Sequence, residues 1–407
     1  MERLEDIFDR AVKSPIFRRR EVLLPDYVPE YLPHRDREIV RLARVLAPAL
    51  RGERPNNVFI FGLTGTGKTA VTKYVLRRLE AKAAEVGARV RSIYVNVRHR
   101  ETPYRVLADI AESVGLRVPF TGLSTGEVYG RLASWLRKSR GVYIVVLDEI
   151  DFLVKKHGDD LLYKLTRINE LLTSAKVSIV GITNSVKFVD SLDPRVRSSL
   201  GEEEIVFPPY NASQLQDILS ERAAEAFNPG VLDPDVIPLC AALAARDHGD
   251  ARRALDLLRV AGEIAEREGS ARVAASHVRK ARMEIERDRV AEVVRSLPLH
   301  AKLVLASVLA ASGGGRVSTT TGEVYDYYRR LVSILGVEEV TFRRVSGIIG
   351  ELDMLGLITA RVASRGRYGK TRLIELAADA RAILASLSEE PGLDEIAGMI
   401  AGDAGIE

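Results

Sequence analysis

Residues Gly62-Leu-Thr-Gly-Thr-Gly-Lys68-Thr69 have the types and spacing of a loop that wraps a chain of phosphates. Glycines 62, 65 and 67 let backbone N–H groups converge on phosphate oxygens at a helix N-terminus, Lys68 reaches the β and γ phosphates, and the Thr69 hydroxyl suits Mg2+. The nucleotide contacts expected here are Thr64, Gly65, Thr66, Gly67, Lys68 and Thr69, then Ala70 and Val71 in the first helical turn. The apolar run Gly141–Leu147 ends in Asp148-Glu149, two carboxylates with different tasks. Asp148 suits Mg2+ held through its water shell, and Glu149 suits a water poised for in-line attack on a γ-phosphate. A second apolar run, Val177–Thr183, ends in Asn184, whose amide can hold that water or the γ-phosphate. Arg195, in Asp193-Pro-Arg-Val-Arg197, can meet the γ-phosphate of a neighbouring subunit, with an ordinary surface arginine as the other reading. Arg252 lies near a helix start in Gly249-Asp-Ala-Arg252 and can reach back to the phosphates. The set describes Mg2+-assisted hydrolysis of ATP to ADP.

Those groups need a strand edge to stand on. Apolar runs near 57–61, 90–97, 142–147, 177–182 and 204–207 alternate with helical patterns, which predicts a mostly parallel α/β sheet buried on both faces. Residues 15–35 hold four prolines among aromatic and basic residues, so the chain is expected to enter as an extended arm able to line a ligand pocket. After Phe207-Pro-Pro-Tyr210 the strand pattern stops and helical periodicity runs to about residue 295, with Asn211 or Ser213 as cap. A third unit opens near Leu297-Pro298 with helical patterns. Two strand-like runs follow, Leu357–Val362 and Arg372–Leu376, around a turn-prone Ser364–Lys370, and together these read as a winged helix. The expected domains are 1–210 for the sheet domain with its arm, 211–295 helical, 296–390 winged helix, and 391–407 a Gly- and acid-containing, loosely held tail.

The third unit also concentrates charge. From Thr341 through Arg372 seven Lys or Arg face two acids, a local +5 against +4 for the whole chain. Thr341 is placed to cap a helix that starts with Arg343 and Arg344, which suits a helix presented to the major groove of duplex DNA. Arg365, Arg367, Tyr368 and Lys370 fall at the hairpin tip, with Arg372 just beyond, where basic groups can bind phosphate or enter a minor groove. Solvated basic charge with no DNA contact is the plainer alternative.

Composition narrows the field. Cys240 is the single cysteine in 407 residues, in the apolar setting Ile237-Pro-Leu-Cys-Ala-Ala-Leu243, so an intrachain disulfide and a cysteine-based zinc site are excluded. The first ten residues carry acids where a secretion signal needs a basic flank and apolar core, and no apolar run approaches a membrane span. A cytoplasmic protein without a membrane partner is expected.

The order of phosphate loop, Asp-Glu strand, strand-end Asn, Asp193-Pro-Arg-Val-Arg-Ser-Ser-Leu200, Phe207-Pro-Pro-Tyr210 and Gly249-Asp-Ala-Arg-Arg-Ala-Leu-Asp-Leu-Leu258 resembles the archaeal origin-recognition initiators of the Orc/Cdc type. The resemblance runs from Pro33-His34-Arg35 to the C-terminal hairpin. It implies an α/β AAA+ P-loop domain with a parallel sheet, an α-helical lid and a C-terminal winged-helix domain. It also implies that Tyr210 and Arg222 contact nucleotide from the lid side, and that the arm around Val28, Pro29, His34 and Arg35 packs on adenine. An insertion at about 98–125, including Arg98, Arg100, Thr121 and Gly122, would touch DNA. Related eukaryotic subunits place the finger arginine after the serine, where this chain has Ser199. The activity implied is slow, switch-like ATP hydrolysis in an initiator that binds double-stranded origin DNA and helps recruit or load the replicative helicase, alongside paralogous initiator subunits. A winged-helix NTPase of transcription or signalling shares most of these motifs, as does a motor or clamp-loading ATPase.

Overall fold

The computed structural model describes residues 14–100, 102–119, 121–185, 188, 191–364 and 370–405. It divides into two compact units, Met1–Val278 and Arg279–Glu407, and the division falls inside the helix Ala275–Ser296.

Five parallel strands form the sheet of the first unit: β1 (Val58–Gly62), β2 (Val90–Asn96), β3 (Gly141–Asp148), β4 (Ala175–Thr183) and β5 (Glu203–Phe207), in the spatial order β2-β3-β4-β1-β5. Successive side chains of a strand point to opposite faces, and here both faces are covered. Val142, Ile144 and Val146 of β3 pack with Val58, Ile60 and helix residues Val71 and Val75, whereas Tyr143, Val145 and Leu147 pack with Phe59, Leu107 and Leu132. That is why the strands read as unbroken apolar runs and not as alternation.

Asn57, 1% exposed just before β1, satisfies itself at the sheet's lower end. Its Nδ2 donates to the Ser199 carbonyl (2.7 Å) and its Oδ1 accepts from the Ile179 N–H (2.8 Å). The lid follows as helices Ala212–Ala226, Val236–Arg246 and Ala251–Arg267; Asn211 caps the first, its side chain accepting from the Gln214 N–H. The arm lies on this lid: Phe17 bridges to Phe227 with ring centroids 4.9 Å apart, and the Arg18 N–H donates to the Ala226 carbonyl (2.8 Å).

In the second unit, helices Leu299–Ala311, Thr321–Leu335 and Phe342–Met354 pack with a three-stranded sheet of β6 (Thr319–Thr320), β7 (Ile358–Ser364) and β8 (Lys370–Leu376), ordered β6-β8-β7. The two-residue β6 is too short for a period to reveal it in sequence. The segment expected as a loose tail is instead a helix, Asp394–Ala404, whose Ile396, Ala397 and Ile400 join this unit's core. Ile400→Ala removes a side chain that is 2% exposed. It is expected to destabilise the unit by about 2–5 kcal/mol, read as faster hydrogen exchange in the helix Phe342–Met354; unchanged exchange there would mean that the terminal helix is peripheral.

Candidate nucleotide site and nucleic-acid interface

Strands β1, β3 and β4 end side by side, the register pairing Phe61 with Thr183 and Asp148 with Ile182. The phosphate loop, Asp148-Glu149 and Asn184 therefore issue from one sheet edge, the carboxyl ends where α/β sheets take ligands. The loop turns into the helix Lys68–Val86 through Gly67 at φ +90°, where an added Cβ would lie 2.8 Å from the Tyr210 hydroxyl. Conformation and space both require glycine at this position.

Lys68 is 5% exposed, and its Nζ donates to the carbonyls of Gly62 (2.8 Å) and Leu63 (2.7 Å). Burial pushes its ammonium down to about 8, partly opposed by the Asp148 carboxylate. The Thr69 hydroxyl donates to Asp148 Oδ2 (2.7 Å), and the Tyr94 hydroxyl donates to the same oxygen (2.7 Å). Burial and then the Asp148 charge push the Tyr94 phenol upward, so it stays protonated and donating. A hydroxyl and a carboxylate side by side are the hard oxygen donors that Mg2+ takes together with phosphate and water, so Thr69 and Asp148 fit that ion. Glu149 has a left-handed backbone (φ 60°), an unfavourable conformation for a side chain of this kind, and its N–H donates to Asp148 Oδ1 (2.9 Å).

Lys68, Thr69, Asp148, Glu149, Asn184 and Arg252 line a single recess. Beside it opens a cleft of ≈ 700 Å³, bounded by Val28 and Pro29 of the arm, Gly65, Gly67, Thr69 and Ala70, and Tyr210, Arg222 and Arg252 of the hinge and lid. That volume is within the range of small-ligand pockets. The lid helix Ala251–Arg267 stands with its N-terminus on the phosphate loop: the Ala251 N–H donates to the Gly65 carbonyl (3.1 Å), and a Cβ on Gly65 would collide with the Asp250 carboxylate.

Other expected residues take different posts. His34 Nε2 is 2.7 Å from Asp217 Oδ2 of the lid, turned to that carboxylate and not lining the cleft. Arg35 is buried and bonds to backbone carbonyls, not to open space. Val71 is a core residue under the sheet, and Thr64 is exposed and lines neither cavity. Arg222 lines the cleft, but its guanidinium donates to the Val22 carbonyl (3.2 Å) and covers the Tyr27 ring at 4.7 Å. Arg195 lies outside both cavities, exposed, paired with Asp193 (3.1 Å) and over the Tyr163 ring at 5.3 Å.

Of the residues expected on DNA, Arg98 stands 3.8 Å from Glu149 and Arg100 pairs with Asp109, while Thr121 and Gly122 are exposed in a connecting loop. In the second unit Thr341 caps the helix Phe342–Met354, its hydroxyl accepting from the Arg344 N–H. Arg343 is exposed at that helix start, and Arg344 pairs with Glu351 (2.8 Å). Arg372 is half-buried and donates to the Ser346 carbonyl (3.2 Å), so it braces the hairpin against the helix. Arg365, Arg367 and Tyr368 lie outside the described residues, and Lys370 is described only as the first residue of β8.

Three stretches match known domain families: residues 51–187 an AAA domain, 216–283 the Cdc6 AAA+ ATPase-type lid domain, and 292–386 the CDC6 C-terminal winged helix domain. The ORC1-type DNA replication protein 1 of Aeropyrum pernix is 67% identical over 390 residues, 95% of this chain and 98% of that one. The chain belongs to the ORC1-type DNA replication protein family. The Aeropyrum pernix ORC1 protein solved in complex with DNA is 66% identical, covering 94% of this chain and all (100%) of that one, with a TM-score of 0.85. Cdc6p from Pyrobaculum aerophilum is 26% identical with a TM-score of 0.58, covering 96% and 99%. The three-part architecture is thus that of the ORC1 and Cdc6 proteins, and among the described residues no helix is long and apolar enough to cross a membrane.

Within this ORC1-type site, sequence reasoning missed Tyr94, Asp250 and Lys73, whose Nζ lies 4.5 Å from the Tyr94 ring centroid beside the cleft. Tyr94 lies on β2 beside the Asp148 strand, a neighbour relation that exists only once the sheet order is known. The low Lys68 value has a measurable sign. The empty site loses the lysine proton as pH rises through about 8, whereas bound polyphosphate favours the charged form. ADP binding is therefore expected to take up a proton, the uptake growing from about pH 7.5 toward ~1 per site by about pH 9. Calorimetry in buffers of different ionisation enthalpy reads this directly, and flat uptake across that range would contradict it.

Proposed function

We propose that this chain is an ATP-dependent replication initiator that binds duplex origin DNA through its winged-helix unit and the 98–125 segment, and helps recruit or load the replicative helicase. One observation carries the reading: Lys68, Thr69, Asp148, Glu149, Asn184 and Arg252 line one recess, in a chain 66% identical to a protein solved in complex with DNA.

The geometry supports the following catalytic roles. Lys68 and the loop amides hold the β and γ phosphates, and Asn184 orients a water that Glu149 deprotonates as it attacks the γ-phosphorus. The bond from that phosphorus to the β-bridging oxygen breaks, leaving ADP and inorganic phosphate. Mg2+, when bound at Thr69 and Asp148, supplies charge neutralisation. Arg252, from the lid helix, meets the phosphates from the far side, so lid closure reports whether the nucleotide is present. Arg195, exposed on the base, is free of the local cleft and suits a γ-phosphate held by a neighbouring subunit, a paralogue included. The protein acts as a switch in the cytoplasm, on the nucleoid.

Lys68→Ala is expected to abolish measurable ATP binding in a folded protein, read by calorimetry; retained affinity would remove the nucleotide assignment. Arg343→Ala is expected to weaken duplex binding and to lower the slope of log affinity against log salt by about 1, read by fluorescence anisotropy across a salt series; an unchanged slope would take this helix start off the DNA.

A further inference from the structure

Arg35 is the largest fully buried side chain among the described residues, 2% exposed, and it spends its donors on backbone carbonyls. Nε donates to the Thr66 carbonyl of the phosphate loop (2.9 Å), and Nη2 donates to the Pro208 carbonyl at the hinge between base and lid (2.6 Å). The nearest acid is Glu38, 3.8 Å from Nη1. The guanidinium lies over the Tyr210 ring at 3.8 Å from its centroid. Burying a cation costs several kcal/mol unless its donors are satisfied, and leucine or methionine would fill the same space without that cost. The arginine must therefore do something that apolar volume cannot.

A trans peptide is planar, with its C=O and N–H directed oppositely. The described chain holds no cis bond. Fixing the Thr66 carbonyl on Arg35 therefore turns the Gly67 N–H the other way, toward the recess that Gly67, Lys68 and Thr69 line. The preceding peptide is held in the same manner, since the Gly65 carbonyl accepts from the Ala251 N–H of the lid and so aims the Thr66 N–H. Tyr210 joins the two anchors: its ring supports Arg35, and its N–H donates to the carbonyl of Gly249 (3.3 Å), which leads into Asp250 and Ala251.

We infer that Arg35 is a positioning residue for the phosphate cradle: it sets the orientation of the Thr66–Gly67 peptide and couples that orientation to the hinge through Pro208 and Tyr210. It lines neither the cleft nor the recess. The role rests on the nucleotide-binding reading above and deepens it. Because the aimed amides face phosphates and not the base, loss of Arg35 weakens ligands in proportion to their phosphates beyond the first.

The test compares wild type with Arg35→Lys, which keeps the charge but has one donor nitrogen in place of the planar fork. Affinities for ATP, ADP and AMP are measured by calorimetry. The expected result is a loss of about tenfold or more for ATP and ADP, with AMP changed by less than about twofold. Equal losses for all three ligands would mean general damage to the pocket and overturn the inference, as would unchanged ATP and ADP affinity. A wild-type protein that binds none of them would instead defeat the nucleotide reading itself. Should Arg35→Lys fail to fold, Arg35→Met, which fills the space but supplies no donor, is put through the same comparison, with the same phosphate-selective pattern expected and an equal loss overturning the inference.

Discussion

A phosphate loop must aim several backbone N–H groups at one point, and between Gly62, the last residue of β1, and Lys68, the first of the helix, no strand or helix aims them. The conformation has to be imposed from outside. Here the imposition comes from three directions: the Lys68 ammonium on the carbonyls of Gly62 and Leu63, the Arg35 guanidinium on that of Thr66, and the lid's Ala251 N–H on that of Gly65. The Thr66 and Gly65 carbonyls, held from outside the recess, turn the Gly67 and Thr66 amides inward. The sheet exists, in functional terms, to bring the ends of β1, β3 and β4 to that loop, and the two apolar layers on its faces make the edge rigid enough to matter.

The same constraint explains why the lid is part of the site. Its helix Ala251–Arg267 presents Asp250 and Ala251 to the loop and Arg252 to the recess from a single turn. The arm is tied to this lid in turn, through Phe17 on Phe227 and His34 on Asp217. Loop, lid and arm are thus linked by short contacts within one compact unit.

Much of this was legible in the sequence because burial on both faces leaves an unbroken apolar run. The strand expected at 142–147 is β3, Gly141–Asp148, and its terminal carboxylate lies where the run's end placed it. The glycine spacing at 62, 65 and 67 marked the loop for the same reason that the structure needs it. What stayed hidden were relations across space. Arg35 reads as one more basic residue after a proline, and only the fold shows that it meets carbonyls. Val71 has a loop-proximal number but a core-facing position in its helix. The terminal helix carries Ile396, Ala397, Ile400 and Ala404 at helical spacing, masked by glycines and acids on its outer face. Arg372 reads as part of the basic hairpin cluster, yet its donor goes to the Ser346 carbonyl.

The central functional claim is that this nucleotide-gated machinery acts where replication begins. The most direct measurement is a genome-wide map of DNA bound by the protein in its own cells, set beside a map of replication start sites. Bound sites coinciding with start sites, and weakened there by Lys68→Ala, are the result expected. Bound sites confined to promoters away from any start site would contradict the claim and move the same ATPase and winged helix to the control of transcription.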